Sequence, residues 1–257
     1  MSQAIEAAEV LRVVPSDILD ALRRGWNDFR RAPLVGIGFA LVYVLGGWII
    51  VFATTVEGQL WWILPAAAGF PILGPFVAVG LYEVSRRLES GEPLTVRGVL
   101  GVVLREKDRQ IPSIAAVIVV FFLFWNFLAH TIFALFLGTS SLTNVMSSLG
   151  VFGTPQGFAM LAVGTAVGAV FAAVLFSLSV VSLPLLLDRE VDFVTAMMTS
   201  LDVVRQSPMV MLGWGVIIAA TLFVAMLPGF LGLLVVLPVL GHASWHLYRA
   251  AISWDAA

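Results

Sequence analysis

The sequence predicts an all-α membrane protein: six transmembrane helices in three hairpins, each preceded by a cytoplasmic amphipathic interfacial helix. Three observations carry this reading. Of the 257 residues, 60% are hydrophobic and only 12% charged, whereas soluble domains carry about a quarter charged residues. Apolar runs of about twenty residues recur, enough to cross a hydrocarbon core of roughly 30 Å. Finally, all fourteen Lys and Arg fall on one side of those runs.

The elements follow in order. The leader is acidic and has no cleavable apolar core, so no signal peptide is expected. Ser16 is a plausible N-cap for a helix over 17–31, in which Ile18, Leu22, Trp26 and Phe29 recur at helical spacing and charges occupy the other face. Pro33 stops it, and the first span follows over 34–53. After a polar loop over 54–59 comes the second, 60–82, starting at Trp61 and Trp62 and carrying Pro65, Pro71 and Pro75, which predict a kink or break. A linker with a second amphipathic segment over 95–105 leads to the third span, 113–137. A Gly-, Ser- and Thr-rich loop separates it from the fourth, 158–187, where Gly164 and Gly168 form a small-xxx-small pair that invites close backbone approach. A third amphipathic segment over 192–206 precedes the fifth and sixth spans, 209–227 and 229–248, joined at Pro228-Gly229.

The three amphipathic segments end alike, in Arg30-Arg31-Ala32-Pro33, Arg109-Gln110-Ile111-Pro112 and Arg205-Gln206-Ser207-Pro208. Pro75 to Arg86 and Pro238 to Arg249 are both eleven residues, each with an aromatic seven after the proline. A single polytopic domain, 1–257, of three diverged units over about 16–88, 94–187 and 192–250 is expected. Five basic residues precede the first span, six lie between the second and third, two between the fourth and fifth and one after the sixth. Glu57 is the only charge on the other side. The positive-inside rule therefore puts both termini in the cytoplasm.

The absence of cysteine rules out disulfides, thiolate metal sites and cysteine nucleophiles. No catalytic set, metal site or cofactor is expected, since no G-x-S-x-G, H-E-x-x-H or P-loop occurs. The chemically unusual positions form a candidate polar cluster: Glu83, His242 and His246 towards the cytoplasm, Asn126 and His130 in the third span. His242 and His246, four apart, share a helix face and are open to structural, proton-carrying or metal-binding roles; the unit alignment puts Glu83 at the depth of His246. His130 lies roughly 10–15 Å from His242 in depth, by the rise per residue. Intramembrane polar residues face a bundle interior by default. Trp26, Trp61, Trp62, Trp245, Tyr248 and Arg249 are candidate interface anchors.

Gly25-Trp26-Asn27-Asp28-Phe29, Gly74-Pro75 with Gly80-Leu81-Tyr82-Glu83 and Ser85-Arg86-Arg87, Leu187-Asp188-Arg189, and Gly241-His242-Ala243-Ser244-Trp245-His246-Leu247-Tyr248-Arg249 together resemble the integral membrane family of domain of unknown function 2189. The resemblance spans nearly the whole chain and is most specific in the last segment. It implies a six-span bacterial inner-membrane protein and no particular activity. The likeness to cytochrome oxidase subunit I given to some members would need histidines on facing helices for haem and copper, which three histidines so arranged cannot supply.

The expected function is non-enzymatic: a membrane scaffold, assembly helper or lipid-interacting protein. The expected partners are the lipid bilayer and another membrane protein or complex, not nucleic acid. The alternative is a small-solute or ion transporter or channel using the Glu/His/Asn cluster. A haem- or metal-binding respiratory accessory protein comes third.

Overall fold

The computed structural model describes residues 9–55, 63–138 and 153–254, without the side chains of 53–55 and 63–72. Trp61, Trp62, Glu57 and most of the Gly-, Ser- and Thr-rich loop lie outside the described residues. The chain is an all-α membrane protein. Its helices are α1 (Pro15–Arg31), α2 (Pro33–Thr55), α3 (Ile63–Ser90), α4 (Val96–Glu106), α5 (Ile111–Leu137), α6 (Pro155–Ser179), α7 (Ser182–Asp188), α8 (Phe193–Gln206), α9 (Pro208–Met226) and α10 (Leu233–Ala251). A short or amphipathic helix followed by two long ones occurs three times, with α7 added to the second set.

Among the described residues, four segments are long and apolar enough to cross a membrane: Pro33–Phe52, Ile111–Leu137, Pro155–Asp188 and Pro208–Met226. Helices α3 and α10, expected as the second and sixth spans, are not among the four. The expected break in the second span is not seen either, since α3 runs as one helix from Ile63 to Ser90. Pro71 and Pro75 are one turn apart on one face, so the missing N–H groups fall in a single strip and the rest of the ladder continues.

The expected fourth span does break. Pro184 has no N–H to offer the Val180 carbonyl and its ring crowds that carbonyl, so α6 ends at Ser179 and α7 restarts at Ser182. Ser200 of α8 fills the gap: its hydroxyl donates to the Ser177 carbonyl at 2.8 Å and accepts from the Val181 N–H at 3.1 Å. Two backbone groups freed by the break are thereby satisfied.

The first and third helix junctions share one backbone geometry. Ala32 has φ −136° and ψ 51°, Ser207 φ −136° and ψ 57°, and each donates its N–H to the carbonyl four residues back. A single residue thus turns each amphipathic helix into the next, with proline supplying the first helical position. The two chain ends meet near the third junction. Strands β1 (Glu9–Val10) and β2 (Ile252–Ser253) pair antiparallel, and the Val13 N–H donates to Ser207 Oγ at 3.0 Å.

Helix α10 is the centre. It packs against α1, α2, α3, α7 and α9, and α1 lies along it. The buried stripe of α1 is Ile18, Ala21, Gly25, Asp28 and Phe29; of the apolar face expected for the membrane interface, Ile18, Leu22, Trp26 and Phe29, it takes in Ile18 and Phe29. The reason is contact distance. A Cβ on Gly25 would stand 2.7 Å from the Ala243 nitrogen and the Val239 oxygen, so only the face with the smallest residue seats on α10. Trp26 is left 46% exposed. Helix α1 begins at Pro15 rather than after Ser16, with the Asp17 carboxylate accepting from the Val14 N–H at 2.8 Å.

The expected packing role of Gly164 and Gly168 needs correction. Nothing lies within 4 Å of a Cβ on Gly164, and Gly168 receives the Trp125 ring rather than a backbone. Both line an open apolar crevice of about 420 Å³ between α5 and α6. The small residue that allows close helix approach is Gly25.

At the start of α8, Asp192 accepts hydrogen bonds from the Thr195 hydroxyl at 2.5 Å, the Thr195 N–H at 2.9 Å and the Val194 N–H at 3.0 Å. Those bonds, the Thr195 hydroxyl's first, hold its carboxyl below the usual range.

Two predictions follow from this packing. Gly25→Ala should lower the thermal midpoint of the detergent-solubilised protein, by about 1–3 kcal/mol of overpacking, and Gly164→Ala should leave it unchanged; the reverse order would refute the assignment. Because the folded pKa of Asp192 is depressed, its cap stabilises α8 above the ordinary value of about 3.9 and is lost as pH falls through the lower folded value. An NMR titration of the Asp192 carboxyl should show its midpoint below the ordinary value, and Thr195→Ala should raise it.

Candidate functional site: the polar layer around the last helix

The polar residues of α10 project from its C-terminal half in several directions, towards α3, α1 and α7. Towards α3, His242 Nδ1 lies 3.1 Å from the Leu81 carbonyl and 2.9 Å from Ser85 Oγ. A carbonyl only accepts, so Nδ1 carries the proton and Nε2 is bare; Nε2 is buried and has no hydrogen-bond partner. Towards α1, His246 Nε2 donates to Asp28 Oδ2 at 2.7 Å, and its buried Nδ1 has no partner. The Trp245 indole N–H donates to Glu89 at 3.0 Å, and the Tyr248 hydroxyl to Asp188 of α7 at 2.7 Å. Arg249 stands 3.6 Å from both Glu89 and Asp188. Trp245 and Tyr248 are each 1% exposed. They are therefore interior clamps rather than the expected interface anchors, while Arg249 sits at the rim and Trp26 faces outward.

Glu83 does not meet the histidines. Its carboxylate is fully buried and accepts from Arg86 Nε at 2.7 Å and Arg87 Nε at 2.5 Å. Both partners are on its own helix, at i+3 and i+4. The unit alignment pairs Glu83 with His246, whereas the residues on either side of Glu83, Leu81 and Ser85, meet His242. Leu81 and Ser85, one turn apart, point at α10, and Glu83 between them points nearly the opposite way. The Glu83 carboxylate in turn raises the pKa of Arg86. Burial of that charge is tolerated because two guanidinium groups share it.

Asn126 and His130 are separate again. The Asn126 amide donates to the Phe122 carbonyl at 3.2 Å, and His130 Nδ1 donates to the Asn126 carbonyl at 2.7 Å. Both bonds stay within α5, and His130 is exposed on its outer face. The five expected cluster residues are therefore three groups: the two histidines of α10, the Glu83–Arg86–Arg87 triad, and the α5 pair.

Sequence reasoning did not assign Asp28, Ser85, Glu89 or Asp188 as partners. Asp28 carried one signal, since it falls on the helical stripe of Ile18, Ala21 and Gly25. The others had none, because each meets its partner through long-range packing.

Two charged clefts open beside this layer. One of about 290 Å³ between α1 and α10 is lined by Asp17, Asp20, Arg24, Glu89, His246 and Arg249. The other, of about 320 Å³, lies where α3, α4, α5 and α7 converge, with Glu83, Arg86 and Glu106 in its wall. Among the described residues no three His, Asp or Glu side chains are grouped to hold a metal ion. Chemically, the arrangement offers two buried imidazole nitrogens without hydrogen-bond partners and a set of carboxylates already paired.

The His246–Asp28 contact joins α1 to α10 by a side-chain hydrogen bond. Asp28→Ala and His246→Ala should each lower stability by about 1–3 kcal/mol, since each leaves a buried polar partner unmatched. The double variant should cost less than the sum; a fully additive cycle would show that the pair does not interact.

The comparisons with known proteins agree with the membrane assignment. No curated protein and no solved structure matches the chain. One family model does, that of a predicted integral membrane protein (DUF2189), over residues 63–188. That stretch runs from α3 to the end of α7. It includes the Gly74-Pro75, Tyr82-Glu83 and Ser85-Arg86-Arg87 segments, and stops short of Gly241–Arg249, where the resemblance is most specific. Over this central segment the chain is similar to the DUF2189 family of predicted integral membrane proteins.

Proposed function

We propose that the protein is a non-enzymatic scaffold of a bacterial inner membrane that works by holding lipid and a membrane partner, with six spans and both termini in the cytoplasm. One observation carries the reading: the polar side chains of α10 are engaged as clamps to α1, α3 and α7. Side chains that act on a passing solute need open coordination, whereas these fix helices to one another.

Further features support it. Each short helix seats one face on the bundle and keeps large apolar residues outward: Leu19 and Trp26 on α1, Val96, Leu100 and Leu104 on α4, Val194 and Met198 on α8. Helices with a seated inner face, an apolar outer stripe and flanking arginines suit the membrane interface. The β1–β2 pairing brings both ends of the chain together beside that layer. With α3 and α10 packed alongside α2 and α9, and every Lys and Arg on one side of the apolar runs, six spans with cytoplasmic termini accommodate the charge pattern. The shared geometry at Ala32 and Ser207 favours three diverged units.

One observation favours the alternative of an ion or small-solute path: the buried, unpartnered nitrogens His242 Nε2 and His246 Nδ1, the latter in a ring that borders the α1–α10 cleft. Against it, Asn126 and His130 do not join these residues, so the polar groups do not line up from one face to the other.

Reconstitution into vesicles loaded with a pH-sensitive dye separates the two readings. Under an imposed potential, proton leak should equal that of protein-free vesicles, and the protein should retain lipid or a stoichiometric membrane partner when purified from native membranes. Flux above that of protein-free vesicles that His242→Ala and His246→Ala abolish would overturn the scaffold reading.

A further inference from the structure

Seven charged side chains line the cleft where α3, α4, α5 and α7 converge, and their pairing is uneven. Glu83 is held by Arg86 and Arg87. Glu106, 4% exposed, is held by Arg109 at 2.9 Å, and Glu190 lies 3.4 Å from the same arginine. Asp188 accepts from Tyr248 and has Arg249 at 3.6 Å. Every carboxylate in the wall thus has a cationic neighbour. Arg105 lines the same cleft, is exposed, and has no ion-pair partner among the described residues.

The surroundings of Arg105 say where an anion would come from. It sits at the C-terminal end of α4, whose inner face buries Val99, Val102 and Glu106 and whose outer face presents Val96, Leu100 and Leu104, 58%, 45% and 62% exposed. Those three recur at i, i+4 and i+8, forming one apolar stripe on a short helix. A stripe of that kind in a membrane protein enters the acyl layer and brings the end of its helix to headgroup level. An unpaired guanidinium there matches a phosphodiester in geometry and charge. Arg86 and Arg109 also line the cleft, with their guanidinium groups engaged by Glu83 and Glu92 and by Glu106 and Glu190, which leaves Arg105 as the open cation.

We propose that this cleft is a binding site for the phosphate of a phospholipid headgroup, with Arg105 as its free ligand and the α4 stripe embedded beside the acyl chains. This deepens the lipid-interacting reading and rests on it. The occupant is a lipid rather than a soluble phosphate because the open guanidinium and the apolar stripe belong to one helix. Arg105 is also a clean position to alter, since its removal breaks no ion pair, whereas removal of Arg109 would strand the buried Glu106.

The test is native mass spectrometry of the full chain in detergent with added phosphatidylglycerol, comparing the unchanged protein with Arg105→Ala and Arg97→Ala. Arg97 is an exposed arginine on the same helix that does not line the cleft. The unchanged protein should retain one lipid that Arg105→Ala loses by about tenfold or more; Arg97→Ala should retain it. Equal loss in both variants would mean diffuse charge attraction and overturn the site, as would no loss in Arg105→Ala. In a second arm, millimolar inorganic phosphate replaces the lipid. Arg105-dependent phosphate binding without lipid retention would overturn the lipid assignment. Vesicle flux is read separately, so failure here would leave the choice between scaffold and transporter to that measurement.

Discussion

A helix that carries two histidines, a tryptophan and a tyrosine inside a protein is stable there only if its neighbours bring partners for them. That constraint governs α10 and, through α10, the rest of the molecule. A buried polar group left unmatched costs about 1–3 kcal/mol, and a whole domain is stable by only about 5–15 kcal/mol. The four contacts of His242, Trp245, His246 and Tyr248 therefore weigh as much as the net stability of an ordinary fold. They reach three segments: His242 to Ser85 and Trp245 to Glu89 on α3, His246 to Asp28 on α1 and Tyr248 to Asp188 on α7. Satisfying α10 thus fixes α1, the C-terminal half of α3 and α7 around it. The seating of α1 against Ala243 and the pairing of the two chain ends follow from the same arrangement.

Membrane class and the order of helices were legible in the sequence because they rest on local signals: hydropathy, proline at helix starts and the placement of arginine. Most helix ends agree with expectation within a few residues for the same reason. Which residues touch was mostly not legible, since two helices at equal depth can still present any face. Glu83 and His246 show this well. Aligned as counterparts in the first and third units, they lie on helices that do pack together, yet Glu83 turns to its own arginines and His246 to Asp28. The pair Gly164 and Gly168 fails in the same way, because small residues permit close approach without naming a partner. The segments carrying the family resemblance were informative at one remove: Asp28, Ser85, Asp188, His242 and His246 all lie in them, though only the fold shows how they pair.

The break between α6 and α7 illustrates how a local defect is absorbed by a distant residue. Pro184 opens the ladder, and Ser200, in a different helix, closes it with one hydroxyl acting as donor and acceptor. Beyond the break, α7 is buried from Ser182 to Leu186, and its last residue, Asp188, accepts from Tyr248. The proline, the serine and the tyrosine clamp therefore form one mechanical chain, each link explaining why the next residue is tolerated where it is.

The remaining helices obey a different rule, and the contrast separates two portions of the molecule. Only 17% of the apolar windows of α5 and α9 is buried within the protein, so most of their surface meets lipid. Polar side chains on such surfaces bond back to their own helix: Thr131 to the Phe127 carbonyl, Thr221 to Ile217, Asn126 to Phe122 and His130 to Asn126. A side chain satisfied by its own helix asks nothing of a neighbour and can face hydrocarbon. The interhelix polar contacts instead gather around the C-terminal halves of α3 and α10, beside the short helices and the charged clefts. An apolar portion that leaves its packing to lipid, joined to a polar layer cross-linked by side chains, is how a protein presents a rigid surface at the edge of a bilayer.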